Sequence, residues 1–191
     1  MTARLDLLAH GASAATRAAR FPDDEALEAS AVCVLEALRG GLRPYAHVLT
    51  APARAASETA AGLGLDADVD TALRDCDYGR WRGLALKDVA KRESDEFAAW
   101  SGDPSATPHG GESLAALIER IGAWLVQSLA RERATLAVTH ASVVRAAVVN
   151  ALGAGPLAFY RIDVAPLSLA RLSGRDGRWN VVALGPLEAL S

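Results

Sequence analysis

Two stretches of this sequence place the same reactive group in the same setting. In Leu5–Gly11 (LDLLAHG) and Thr135–Ala141 (TLAVTHA), an apolar run of strand type ends in a histidine and a small residue. An open α/β sheet forms its ligand crevice at the carboxyl ends of its strands. His10 and His140 are both expected at that edge, where two imidazoles can serve as nucleophile, general base or anion partner. Either one alone reads more simply as a side chain that satisfies backbone groups at a strand end. The repeated context favours function.

The elements that must position them follow from periodicity and punctuation. Helical spacing of apolar residues runs from Asp24 to Leu38, with Asp23, Asp24 and Glu25 suited to a helix N-terminus and Gly40-Gly41 stopping it. His47–Leu49 reads as a second strand. Pro52 opens a helix running to about Leu63, and Gly64 ends it. Val69 lies in a brief extended segment, Asp75–Gly83 reads as loop, and Leu84–Trp100 as one helix. Ser101–Gly111, rich in Gly, Pro, Ser and Thr, is an excursion. Ser113 is a good N-cap for a helix over Leu114–Arg131. Ser142–Leu152 is a helix closed by Gly153. Finally, Ser168–Leu172 and Trp179–Leu184 flank Gly174-Arg175-Asp176-Gly177, a hairpin signal. Strands alternating with helices predict an α/β fold: a mostly parallel central sheet with helices on both faces, in three layers, plus a C-terminal antiparallel hairpin. The chain, 1–191, shows no linker or repeat and reads as a single domain.

Composition removes several function classes. Net charge is −3 and no Lys/Arg stripe exists, so nucleic acid is not an expected partner. The N-terminal apolar run is interrupted by Asp6 and His10, too short and polar for a signal peptide or membrane span. Cys33 and Cys76 form neither a disulfide framework nor a metal spacing, which fits a cytoplasmic location. No cofactor is implied. The histidines and carboxylates do not make a zinc pattern, so no metal is expected.

Five segments in order resemble the histidine phosphatase superfamily, the phosphoglycerate-mutase-like fold. The family's Arg-His-Gly opening corresponds to Ala9-His10-Gly11-Ala12-Ser13, with Arg20-Phe21 at the matching distance. Its Ser-Pro-Leu-x-Arg-Ala-x-x-Thr-Ala segment corresponds to Ala51–Ala60, and its Leu-x-Glu-x-x-(Phe/Tyr)-Gly-x-Trp-x-Gly segment to Leu73–Gly83. Gly110-Gly111-Glu112-Ser113 matches directly. His140–Ala146 stands where the family has His-Gly-x-x-Ile-Arg-Ala. The resemblance implies a phosphomonoester hydrolase rather than a mutase. His10 would become a phosphohistidine, Asp75 would protonate the leaving oxygen, and His140 would hold the phosphoryl group. Ser13, Thr16, Arg20 and Arg54 are the candidate residues for binding a small-molecule substrate, and the resemblance leaves a homodimer open.

The departures bear on activity. The two family arginines that clamp phosphate fall on Ala9 and Ala55, with Arg54 one place early; alanine also stands at 51 and 141. Thr16 takes the place of the usual Asn. Each preorganised donor is worth roughly 10²–10³ in rate, so losing both implies on the order of 10⁴. Two alternatives to a rearranged phosphatase therefore stay open. One is a pseudo-phosphatase that binds a ligand or partner; the other is an enzyme that uses His10, Asp75 and His140 as acid and base on a less anionic substrate. One step along a helix turns a side chain by about 100°, so Arg54 is expected along the rim. Arg17 and Arg20 are expected near the mouth. Arg145 is expected to anchor its helix through hydrogen bonds. His109 is expected in a loop contact, and Trp100, Trp124 and Trp179 in packing.

Overall fold

The computed structural model describes residues 3–131 and 133–190. Its strands are β1 (Ala3–Ala9), β2 (His47–Thr50), β3 (Asp68–Val69), β4 (Ala134–Thr139), β5 (Ser168–Arg175) and β6 (Arg178–Pro186). They form one six-stranded sheet in the order β3-β2-β4-β1-β5-β6. β3, β2, β4 and β1 run parallel, while β5 and β6 are antiparallel additions. The register pairs Ala9 with Thr139, which puts the residues before His10 and His140 side by side on the central strands. The hairpin turns on Asp176 and Gly177, both left-handed (φ 52° and 77°), as a two-residue turn requires.

Helices connect and cover the sheet: α1 (Ala14–Arg17), α2 (Ala29–Leu38), α3 (Arg54–Gly62), α4 (Leu86–Arg92), α5 (Ser94–Gly102), α6 (Leu114–Ser128), α7 (Ala141–Leu152) and α8 (Leu187–Leu190). α3 packs on β2 and β4, and α7 on β1, β5 and β6; α2 pairs with α3, and α6 with α7. Small side chains make this close approach possible. Ala51, Ala56, Ala137, Ala146, Ala147 and Ala170 are fully buried between Leu and Val. Among the described residues no helix is long and apolar enough to cross a membrane.

Two expected helices differ. The one expected from Asp24 begins at Ala29, because Asp24 sits in a left-handed conformation (φ 63°) and accepts a hydrogen bond from the Arg54 amide at 2.7 Å. The helix expected over Leu84–Trp100 is broken at Glu93 (φ −129°, ψ 56°). The Glu93 carboxylate is drawn to the indole N–H of Trp81 at 2.9 Å and to Arg80. α4 and α5 thereby wrap a second, aromatic core of Phe21, Trp81 and Val89, edged by Tyr78, Leu86, Phe97 and Trp100.

Behind the histidine on β1, the fully buried carboxylate of Asp6 accepts a hydrogen bond from the Tyr45 hydroxyl at 2.6 Å and lies 2.8 Å from an Arg43 nitrogen. Arg171 of β5 approaches the same carboxylate at 3.3 Å. A buried charge so surrounded is compensated, and burial, followed by the bond to Asp6, pushes the Tyr45 phenol up to about 12 against the opposing effect of Arg43.

Candidate active site

β1 and β4 end at the same edge, and the imidazoles of His10 and His140 meet there edge to face, ring centroids 5.1 Å apart. Two further residues hold the turn after β1. Thr59 Oγ1 accepts from the Gly11 amide at 2.9 Å and donates to the Ala55 carbonyl at 2.7 Å. A carbonyl only accepts, so the 2.8 Å contact between His10 Nδ1 and Gly11 O places the proton on Nδ1. Nε2 of the neutral ring is left with its lone pair. Burial, reinforced by His140, pulls the His10 pKa below its ordinary value, against the opposing effects of the Gly11 bond, Asp75 and Glu25. His10 is thus a neutral imidazole with a bare nitrogen, the state a nucleophile or base needs.

Asp75 completes the group. Its Oδ2 lies 3.4 Å from His140 Nδ1, while Oδ1 accepts from the Cys76 amide at 2.8 Å and from the Ser142 hydroxyl. Among the described residues, neither nitrogen of the buried His140 ring has a hydrogen-bond partner. The segment carrying Asp75 is fixed from behind. Arg120 grips Glu112 with two 2.8 Å bonds and donates to the carbonyls of Ala72, Arg74 and Asp75 at 2.7–3.3 Å. The backbones of the 75–83 loop and the 103–113 excursion also touch. Glu112 N donates to Asp77 O at 2.7 Å and Arg80 N to His109 O at 3.0 Å. A Cβ on Gly111 would fall 2.0 Å from Asp77 O, and one on Gly79 (φ 47°) 2.1 Å from His109 O. Only glycine fits either place. The Cys76 thiol is buried in this seam, donates to Glu112 O at 3.3 Å, and is pushed far up in pKa by burial beside acidic groups.

The three residues open on a cavity of about 820 Å³. Its walls are largely apolar and include Phe21, Leu86, Trp100, Leu114, Phe159 and Tyr160. The N-termini of α3 and α7 reach it through Ala53, Ala55, Ala141 and Ser142, bringing partial positive charge.

The remaining expected site residues divide. Ser13, Thr16 and Arg20 line the cavity. Ser13 and Thr16, however, are spent on one another in a capping box at the start of α1. Arg54 is not brought to the cavity. It is exposed and its Nε donates to Glu58 at 2.7 Å, one helical turn away. Arg17 likewise points outward onto Glu28. His109 is buried against Trp81 and accepts from Gly111 N at 3.0 Å, a loop contact. Trp100, expected only in packing, is part of the cavity wall.

Arg145 corrects an expectation. Among the described residues it anchors nothing by hydrogen bond; its guanidinium lies over the Phe159 ring, 5.6 Å from the centroid, and faces the cavity. Sequence reasoning also missed Ser142, Glu25 and Arg120. Ser142 had a usable signal, since a serine in the first turn after His140 must lie near that histidine's partners. Glu25, Arg120 and Arg145 owe their roles to contacts that no local pattern displays.

A mostly parallel sheet thus brings two histidines and a carboxylate together at one edge, as the sequence motifs led one to expect. The chain belongs to the histidine phosphatase superfamily, branch 1, whose model matches residues 7–186. It is 35% identical over 142 residues to the bifunctional protein Rv2228c of Mycobacterium tuberculosis, a match covering 70% of this chain and 38% of that protein. The chain thus spans well under half of that relative. Among solved structures, mycobacterial glucosyl-3-phosphoglycerate phosphatase Rv2419c superimposes with a TM-score of 0.82 at 25% identity, covering 97% of this chain and 100% of that one. The α-ribazole phosphatase of Shigella flexneri gives a TM-score of 0.82 at 19% identity over 95% of each chain, a likeness of fold.

Proposed function

We propose that His10 is the nucleophile or base of a hydrolytic centre whose native ligand brings little negative charge to it, so that phosphomonoester hydrolysis is a residual activity. One observation carries this reading: buried alanines stand at 9 and 55, where the family's two phosphate-clamping arginines fall, and Arg54 turns away onto Glu58. A phosphoryl group spreads negative charge over its equatorial oxygens, and fixed cations stabilise that charge. Here a phosphate dianion would meet two carboxylates, offset by buried N–H groups and two helix N-termini. The reacting nitrogen is retained while the grip on a dianion is weak.

On a phosphomonoester, His10 Nε2 would attack phosphorus as the ester P–O bond breaks, and Asp75 would protonate the departing oxygen. Water would then release phosphate from the phosphohistidine and restore both groups. Hydrolysis of 4-nitrophenyl phosphate tests the reading. Wild type is expected to turn over at least 10³-fold more slowly than a site with both clamps, an order taken from the worth of two preorganised donors. His10→Ala should abolish that turnover, and Ala55→Arg with Ala9→Arg should raise it. Equal rates for wild type and His10→Ala would remove His10 as nucleophile. The proposal extends to a cytoplasmic enzyme acting on a small molecule, and analytical ultracentrifugation decides between monomer and homodimer.

A further inference from the structure

Four arginines line the cavity; Arg82 pairs with Asp23 at 3.0 Å, and Arg74 is half exposed with Glu112 3.9 Å away. Of the other two, Arg20 is exposed. Arg145 is half-buried, and its Nε is shut off from solvent with no hydrogen-bond partner. Among the described residues no carboxylate pairs with it and its guanidinium donates no hydrogen bond. Leaving a guanidinium in that state is costly unless something else meets it. The face of Phe159 meets one side, a modest attraction. The edge, with its fork of donors, is unspent and lies in a cavity wall.

The position of this charge matters as much as its freedom. Arg145 sits on α7 five residues past His140, about 7 Å along the helix from the strand end that carries the histidines, with its guanidinium over Phe159. The end of the cavity at His10 is instead supplied with the carboxylates of Asp75 and Glu25. The cavity lining thus carries Asp75 and Glu25, which act on His10, and a guanidinium set over Phe159. The lining also includes the apolar and aromatic side chains of Phe21, Leu86, Trp100 and Tyr160.

We propose that Arg145 binds an oxyanion carried by the ligand at a distance from His10, so that the ligand is an apolar or aromatic molecule with its anionic group remote from the end that meets the histidine. This rests on the cavity being the ligand site, but not on His10 being a nucleophile. A carboxylate and a phosphate share the planar or near-planar pair of oxygens that a guanidinium fork accepts; the two sources are separated below.

Binding is measured by quenching of tryptophan fluorescence, for which Trp100 lines the site, and by calorimetry. The probes are 2-naphthoate, its neutral counterpart 2-naphthamide, and phenylphosphonate. Wild type should bind 2-naphthoate about tenfold or more tighter than 2-naphthamide, the usual effect of a charge-assisted pair. Arg145→Gln should bring the two together by weakening 2-naphthoate alone, and Arg145→Lys should keep part of the preference. Arg20→Gln should change it much less. A larger loss for phenylphosphonate than for 2-naphthoate in Arg145→Gln identifies phosphate as the favoured source; the reverse identifies carboxylate. His10→Ala should leave the preference intact even where it abolishes hydrolysis, so failure of the nucleophile and failure of the anion site are separate results. Equal binding of 2-naphthoate and 2-naphthamide by wild type, a preference that survives Arg145→Gln in a variant of unchanged melting temperature, or no binding of 2-naphthoate at millimolar concentration would each overturn the proposal.

Discussion

The two sides of the catalytic edge are built differently. On the Asp75 side, most motif positions are matched, with Asp standing for the family's Glu at 75, and the acid-bearing segment is held: Arg120 on Glu112 and three carbonyls, glycine against backbone at 79 and 111, Ser142 on the carboxylate. On the side where phosphate would sit, alanine stands at 9 and 55, both buried, and Arg54 turns away to Glu58. The matched positions hold shape, and the departing ones would hold charge. Shape and charge are therefore separable demands: a site can keep its geometry while its preference among ligands changes.

Breaking the shape side should show first in stability. Gly111→Ala, which drives a Cβ against the backbone of Asp77, should destabilise by on the order of 4 kcal/mol in urea titrations. A variant within 1 kcal/mol of wild type would mean that the two backbones separate easily. Arg120→Ala breaks a largely buried pair and frees the strand-to-loop carbonyls, so a loss of about 3 kcal/mol is expected, together with a fall in any Asp75-dependent turnover. If turnover is unaffected, the grip behind Asp75 has no bearing on the acid. Ser142→Ala removes one bond to the carboxylate and should cost about 1 kcal/mol, read as a shift in melting temperature.

The smallest effect sharpens the charge side. His10 has a lowered pKa in the folded protein, so its neutral form is the one that folding favours. Above the ordinary value of 6.5 both states are neutral and nothing is lost. As pH falls through 6.5 toward the folded value, the unfolded chain takes up a proton first and stability drops. His10→Asn should flatten that part of the stability-versus-pH curve by less than one proton's slope. An unchanged curve would place the proton elsewhere.

Much of the frame could be read along the chain because its signals are local. The strand ends at His10 and His140, the serine cap at 113, the left-handed Gly153 and the Asp176-Gly177 turn are each fixed by a few neighbouring residues. The break at Glu93 and the late start of α2 could not be read that way, because partners distant in sequence (Trp81 and Arg80 for one, the Arg54 amide for the other) decide them. The site divides likewise. His10, His140 and Asp75 stand in motifs, whereas the roles of Glu25, Arg120 and Arg145 depend on what the fold brings against them.

Cys76 has a practical consequence. Its thiol is buried beside the acid-bearing segment at the border of the cavity, donates to Glu112 O and has its pKa raised by burial, so alkylation is expected to be slow until that seam parts. Cys33, exposed on α2, offers no such shield. The rate at which Cys76 is labelled in a Cys33→Ser background therefore clocks how often the loop beside Asp75 opens, and a molecule that settles in the cavity should slow that clock.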